Sequence, residues 1–386
     1  MKKISFALIA VLCLCVPVFA QQALWGGQNI VSPEVHADHT VTFRFLAPKA
    51  VKVQLTGDFL PAQTLAELKE GKDGLWEYTT PEPLAPELYS YSFIVDGLKS
   101  IDPNNVFLNR DVASVTNIFI IGGGRGDLYS VNQVPHGSLT RRWYESPALG
   151  LTRRITVYTP PGYEKGSQKY PVFYLLHGMG GDEEAWVTLG RTVQILDNLI
   201  AQGKARPMIV VMPNGNATQE AAPGESSLGL YKPNMRLPRT MEGSMEKSFP
   251  DIVKFVDTNY RTLANKAHRA IAGLSMGGFH SLHISKQYPD LFDYVGLFSA
   301  AILPGEEPES EIYKNADEKL KIQFAKKPKL YWIAIGKTDF LYNANQDFRK
   351  TLDTAGYPYT YYESEEGHIW KNWRIYLTEF APLLFK

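Results

Sequence analysis

Cysteine is nearly missing from this chain. Its two copies in 386 residues, Cys13 and Cys15, both fall inside the apolar run from Ile4 to Ala20. The basic Met1-Lys2-Lys3 before that run and the small Ala20 at its end have the layout of a secretory signal peptide, with cleavage expected after Val18-Phe19-Ala20. The processed chain is then expected to hold no thiol, no disulfide and no cysteine metal site. The residues before the two cysteines make a poor lipidation signal, so an exported (periplasmic or extracellular) protein is expected rather than a lipid-anchored one. The run is short for a membrane span, and no transmembrane helix is expected in the mature chain. Excess charge is missing too. Lys plus Arg and Asp plus Glu number 40 each, which removes the electrostatic case for nucleic acid.

Hydrophobic residues make up 44% of the chain, ample for a packed core, and aromatics reach 12%. The aromatic content fits core filling or recognition of sugars and aryl groups, and composition does not choose. At 386 residues two domains are expected.

The pattern changes along the chain accordingly. From Val35 to Ile121 short alternating runs, His39–Leu46, Val51–Leu55, Leu75–Thr79 and Tyr89–Val95, are punctuated by Pro48, Gly57-Asp58, Asp73-Gly74, Pro86 and Asp96-Gly97. That spacing predicts a small all-β sandwich. Gly122-Gly123-Gly124-Arg125-Gly126 lacks the Lys-Ser/Thr and the helix that a phosphate loop needs, and it reads as a linker. Beyond Pro135, strand candidates at 154–159, 171–176, 208–212, 270–273, 294–298, 330–335 and 359–363 alternate with helical patterns at 191–202, 248–260, 278–288, 343–355 and 371–385. Several strands are unbroken apolar runs, as in a mostly parallel, doubly wound α/β sheet covered on both faces. The expected division is a signal peptide over 1–20, a sandwich over 21–122, a linker over 123–136 and an α/β domain over 137–386.

In such sheets chemistry gathers where strands end. One apolar strand ends in Gly273-Leu274-Ser275-Met276-Gly277 and runs into a helix. A serine on that tight turn projects its hydroxyl clear of the sheet beside the unpaired N–H groups of the new helix. Ser275 is the candidate nucleophile. Among eight histidines, His368 alone follows both a strand and the nucleophile without lying in the nucleophile's helix, which makes it the candidate base. His280 and His283 have an i, i+3 spacing but no third ligand for a metal. Asp339, just beyond a strand, is the candidate acid, whereas Asp347 and Asp353 fall in a helix and Glu365 and Glu366 read as loop charges. The order Ser275, Asp339, His368 is that of α/β-hydrolases. Backbone N–H groups of Met276 and of Met179, with Gly178 as second choice, are the expected oxyanion donors. His177 is expected to shape that glycine-rich turn. The long polar stretch 214–247 is expected to roof the site, with Trp186, Tyr231 and Trp370 as aromatic walls, although Trp370 could equally pack beneath His368.

Two resemblances follow from particular words. Phe45-Leu46-Ala47-Pro48, Leu55-Thr56-Gly57-Asp58, Asp73-Gly74-Leu75-Trp76 and Val95-Asp96-Gly97 resemble the immunoglobulin-like domain of carbohydrate-binding module 48. Trp76 could be an exposed sugar platform there, though a core position is the better reading. Tyr158-Thr159-Pro160-Pro161-Gly162-Tyr163, His177-Gly178, Asp182-Glu183-Glu184-Ala185-Trp186, Gly273–Gly278, Gly336–Leu341 and Gly367-His368-Ile369-Trp370 are similar to the esterase D group of α/β-hydrolases. Within it they most resemble carbohydrate esterase family 1, the feruloyl and acetyl xylan esterases. The resemblance implies a cofactor-free serine esterase acting on feruloylated or acetylated xylan or xylo-oligosaccharide. Release of ferulate or a related hydroxycinnamate from arabinoxylan leads. Acetyl xylan esterase, acyl transfer, or a glycan-binding protein with an inactive hydrolase domain stand as alternatives.

Overall fold

The computed structural model describes residues 29–228, 234–302 and 310–386. The expected signal peptide, both cysteines and Tyr231 lie outside the described residues.

Alternation of apolar and polar residues builds the first domain. Val41 and Phe43 on one strand, and Val53 and Leu55 on another, are fully buried, while Arg44 and Gln54 beside them are partly exposed. One antiparallel sheet runs Glu34–Val35, Val41–Leu46, Leu75–Thr79, Lys69–Glu70; the other runs Ala66–Glu67, Val53–Gly57, Leu88–Val95, Ser114–Ile120, Leu108–Asp111. Between them rings meet edge to face, as with Phe43 and Tyr91 at 4.9 Å between centroids. Trp76 belongs to this core. It is 7% exposed and its indole N–H donates to the Ala47 carbonyl at 3.1 Å. That excludes the sugar-platform reading.

The second domain is built on eight strands: β1 (Ser138–Ser146), β2 (Leu151–Thr159), β3 (Val172–Leu176), β4 (Ile209–Pro213), β5 (Arg269–Leu274), β6 (Tyr294–Phe298), β7 (Leu330–Gly336) and β8 (Thr360–Ser364). Their order in the sheet is β1-β2-β4-β3-β5-β6-β7-β8. Only the pairings of β2 with β1 and β4 are antiparallel; the rest run parallel. Helices α1 (Thr192–Ala201), α2 (Ser244–Asn259), α3 (Met276–Gln287), α4 (Ala316–Ala325), α5 (Tyr342–Ala355) and α6 (Trp370–Phe380) cover the sheet. One face packs against α1 and α6 through Ile195, Leu196, Tyr376 and Phe380. The other packs against α2 and α4 through Phe249, Ile252, Leu320 and Phe324. Strands with both faces covered must be largely apolar, and β3, β4, β5 and β6 are buried at every residue. Strand β1 and helix α4 were not among the expected elements. Among the described residues no helix is long and apolar enough to cross a membrane.

The two domains share one core. Leu88 and Ile118 of the sandwich sit in the same apolar cluster as Tyr129, Trp373 and Phe380. At its rim Arg374, buried in α6, donates to Glu87 Oε1 at 3.2 Å and to the carbonyls of Leu88 at 3.0 Å and Leu189 at 3.2 Å. The segment expected as a linker is tied down as well. Asn198 Nδ2 donates to the Leu128 and Ser130 carbonyls, each at 3.0 Å. Apolar burial plus buried hydrogen bonds makes this a fixed junction rather than a tether.

Candidate active site

Every candidate chemical group sits at the carboxyl edge of the parallel strands. Ser275 lies between β5 and α3 with φ 53° and ψ −115°, a backbone conformation that costs on the order of 1–3 kcal/mol outside glycine. Surrounding bonds hold it there. Its N–H donates to Phe298 O at 2.9 Å, and its carbonyl accepts from Phe279 and Ala301 at 3.0 and 2.9 Å. Close approach explains the flanking glycines. A β-carbon on Gly273 would collide with the Gly277 backbone, and one on Gly277 would lie 2.5 Å from the His177 carbonyl oxygen. Met276 begins α3, so its N–H has no intrahelical acceptor and lies at the positive end of the helix dipole.

Asp339 follows β7 and His368 follows β8. His368 Nδ1 lies 2.9 Å from Asp339 Oδ2 and 3.1 Å from Oδ1. Asp339 is 4% exposed, and its Oδ1 also accepts the Leu341 N–H at 2.9 Å. The imidazole is gripped between Phe340, 4.6 Å away, and Trp373, 4.9 Å away between centroids. The rival acids are engaged elsewhere. Glu365 pairs with Lys337, Glu366 with Lys371 and Asp347 with Lys350, while Asp353 accepts the Tyr359 hydroxyl.

Between β3 and the helical turn Ala185–Thr188 lies the glycine-rich turn. Gly181 N–H donates to Gly178 O at 3.2 Å, and Gly180 at φ +74° closes a turn with Met179 at its crest. A β-carbon on Gly178 would lie 3.3 Å from Ser275 Cβ, so this turn borders the serine. His177 shapes it. The Gly215 N–H donates to His177 Nε2 at 2.7 Å, which leaves the proton on Nδ1, donating to the Gly178 carbonyl at 2.7 Å. Burial holds this imidazole down at about 4, so it stays neutral. The start of the stretch expected to roof the site is anchored by fully buried Arg153, whose guanidinium donates to the carbonyls of Gln219, Asn214 and Asn216.

The expected aromatic walls fare differently. Trp186 is a correction: it is 1% exposed, its indole N–H donates to Leu176 O at 2.9 Å, and it has no surface to offer a ligand. It supports the site from the core because β3 needs a large apolar cover at its end. Trp370 is half-buried, stacked edge-on against Trp186 and Trp373. It lines, with His368, a cleft of about 340 Å³ whose other wall is the sandwich. Tyr231 lies outside the described residues. His280 and His283 have local partners: His280 Nδ1 meets Glu246 at 2.8 Å, and His283 packs on Phe279 and Tyr313. Among the described residues no group of three or more His, Cys, Asp or Glu could hold a metal ion.

Residues that no local sequence word marked also reach the site. Arg110 of the sandwich pairs with buried Asp182 just after the glycine-rich turn, at 2.5 Å. Asn216 Nδ2 donates to the Gly181 carbonyl at 2.8 Å.

A serine on a strained strand-to-helix turn, a histidine–aspartate pair and this strand order together define an α/β-hydrolase. Residues 146–384 match the family model described as putative esterase, and the chain belongs to that family. Residues 31–108 match carbohydrate-binding module 48, the isoamylase N-terminal domain. An endo-1,4-beta-xylanase/feruloyl esterase of Xylanibacter ruminicola is 31% identical over 92% of this chain, which spans only 46% of that relative. A ferulic acid esterase of Anaeromyces mucronatus, solved with ferulic acid, is 25% identical with a TM-score of 0.56 over 66% of this chain and 93% of that one. The enterobactin esterase of Shigella flexneri, at 16% identity, shares the fold with a TM-score of 0.65 over 90% of this chain and 92% of its own.

Proposed function

We propose that this protein is an exported serine carboxylic-ester hydrolase that releases ferulate or a related hydroxycinnamate from arabinoxylan. The observation that carries it is the His368–Asp339 pair standing on the same strand edge as the strained Ser275 turn. His368 takes the Ser275 proton as the hydroxyl oxygen attacks the ester carbonyl. Asp339 holds the proton on Nδ1 and stabilises the imidazolium that forms. The N–H groups of Met276 and Met179 receive the oxyanion. Collapse of the tetrahedral intermediate expels the sugar alcohol, protonated by His368 Nε2. Water, deprotonated by the same imidazole, then frees the acid from Ser275. No cofactor enters these steps.

The substrate class is supported by the likeness to the xylanase/feruloyl esterase and to the ferulic acid esterase. A second reading, an acetyl xylan esterase, is favoured by a 24% identical acetyl esterase of Caldicellulosiruptor saccharolyticus. The test is kcat/KM on a feruloylated arabinoxylo-oligosaccharide and on an acetylated xylo-oligosaccharide, with Ser275→Ala as the blank. Preference for ferulate is expected. Preference for acetate would move the substrate to acetyl xylan, and silence on both would refute the polysaccharide assignment.

A further inference from the structure

The hairpin formed by Leu108–Asp111 and Ser114–Ile120 belongs to the sandwich, yet its tip lies on the esterase's glycine-rich turn. Val112 stands at that tip with φ 53°, a left-handed conformation that β-branched residues rarely adopt. Its side chain presses on Gly180, where a β-carbon would lie 2.5 Å from Val112 Cγ2. Arg110 braces the same contact twice. One guanidinium nitrogen donates to the Val112 carbonyl at 3.0 Å, and another donates to Asp182 Oδ2 at 2.5 Å. Asp182 is 3% exposed, and its other carboxylate oxygen accepts the Glu184 N–H at 3.0 Å.

The turn that carries Met179 is thus fixed from three directions. His177 holds it from the sheet side, Asn216 from the roof, and Arg110 with Val112 from the other domain. The third support cannot drift, because the sandwich shares its core with α6 through Leu88 and Ile118. A backbone strain retained beside a reaction centre points to a positional demand there.

We propose that Arg110 and Val112 are positioning residues for the oxyanion turn, so that the sandwich domain acts in turnover itself and not only in meeting a glycan. The proposal rests on the reading that the Met179 N–H is an oxyanion donor. A donor set that is misplaced binds the ground state nearly as before and the transition state worse. The signature is therefore a fall in kcat at almost constant KM, seen even with a small ester.

The experiment uses the full chain and a small substrate, methyl ferulate or p-nitrophenyl acetate. Arg110→Ala and Val112→Gly should lower kcat roughly tenfold to a hundredfold, short of the cost of deleting a donor outright, with KM changed less than about twofold. Arg110→Lys, which keeps a cation on Asp182, should recover much of the loss. Val112→Gly separates positioning from folding: glycine accepts φ 53°, so thermal stability should hold while kcat falls. Unchanged kcat in both variants overturns the proposal, as does a change confined to KM. A loss that tracks melting temperature and that Arg110→Lys leaves unrepaired overturns it as well. Ser275→Ala is run alongside. Activity surviving in that variant refutes the serine-esterase reading itself, whereas a dead Ser275→Ala with normal Arg110 and Val112 variants refutes only this inference.

Discussion

His368 Nδ1 meets Asp339 Oδ2 at 2.9 Å across 29 residues of chain, and the carboxylate is sealed from solvent. A buried acceptor at that distance fixes which ring nitrogen carries the proton. Replacing Asp339 by Asn puts an amide N–H where the acceptor stood and flips the tautomer. Hydrolysis by Asp339→Asn is expected to fall by about 10⁴ in kcat. The melting temperature should change little, because an amide oxygen still accepts from Leu341. Steady-state kinetics paired with a thermal melt checks both halves.

Arg374 and Glu87 make the junction between domains testable. Both side chains are 3% exposed, and Arg374 also bonds the Leu88 carbonyl across the boundary and the Leu189 carbonyl within its own domain. Arg374→Met leaves Glu87 and those carbonyls short of donors inside a low-dielectric core. That should cost about 3–5 kcal/mol, while the double variant Arg374→Met/Glu87→Gln should cost less than the single. Because the domains share a core, urea unfolding should remain one transition in the wild type. Two separate transitions, each assignable to one domain, would contradict the shared-core account.

His177 predicts an acid sensitivity with a defined sign. Its folded value near 4 lies below the ordinary 6.5 because burial disfavours the imidazolium. As pH falls below 6.5 the unfolded chain takes a proton that the folded chain refuses. The stability associated with His177 is therefore complete above pH 6.5 and is lost progressively down to about 4, at about 1.4 kcal/mol per pH unit. The difference between the wild-type and His177→Asn stability curves isolates the histidine. Its slope, not its height, is the readout, and parallel curves from pH 6.5 to 4 would contradict the assignment.

Much of this molecule is legible in its sequence because buried parallel strands must be continuous apolar runs. Chemistry is expected at their carboxyl ends, so the Gly-x-Ser-x-Gly motif, chain order and position together single out Ser275, Asp339 and His368 as candidates. Other features leave weaker marks. Strand β1 reads Ser-Leu-Thr-Arg-Arg-Trp-Tyr-Glu-Ser, because an edge strand facing solvent needs no apolar run. Helix α4 buries only Leu320, Gln323 and Phe324, too few to mark a period. Trp186 was misplaced because an aromatic near a catalytic turn looks the same in sequence whether it faces the ligand or the core. The contact of Val112 with Gly180 has no sequence signature at all. It depends on how two domains dock, and neither segment's local pattern encodes its partner.

The proposed hydrolysis depends most directly on Ser275 as the nucleophile. The deciding measurement is covalent labelling with an alkyl fluorophosphonate, read by intact mass and peptide mapping. A single phosphonyl group is expected on the peptide bearing Ser275, with ester hydrolysis lost in step with labelling, and slower labelling in Asp339→Asn. Labelling at another residue, or hydrolysis that persists in Ser275→Ala, would contradict that assignment.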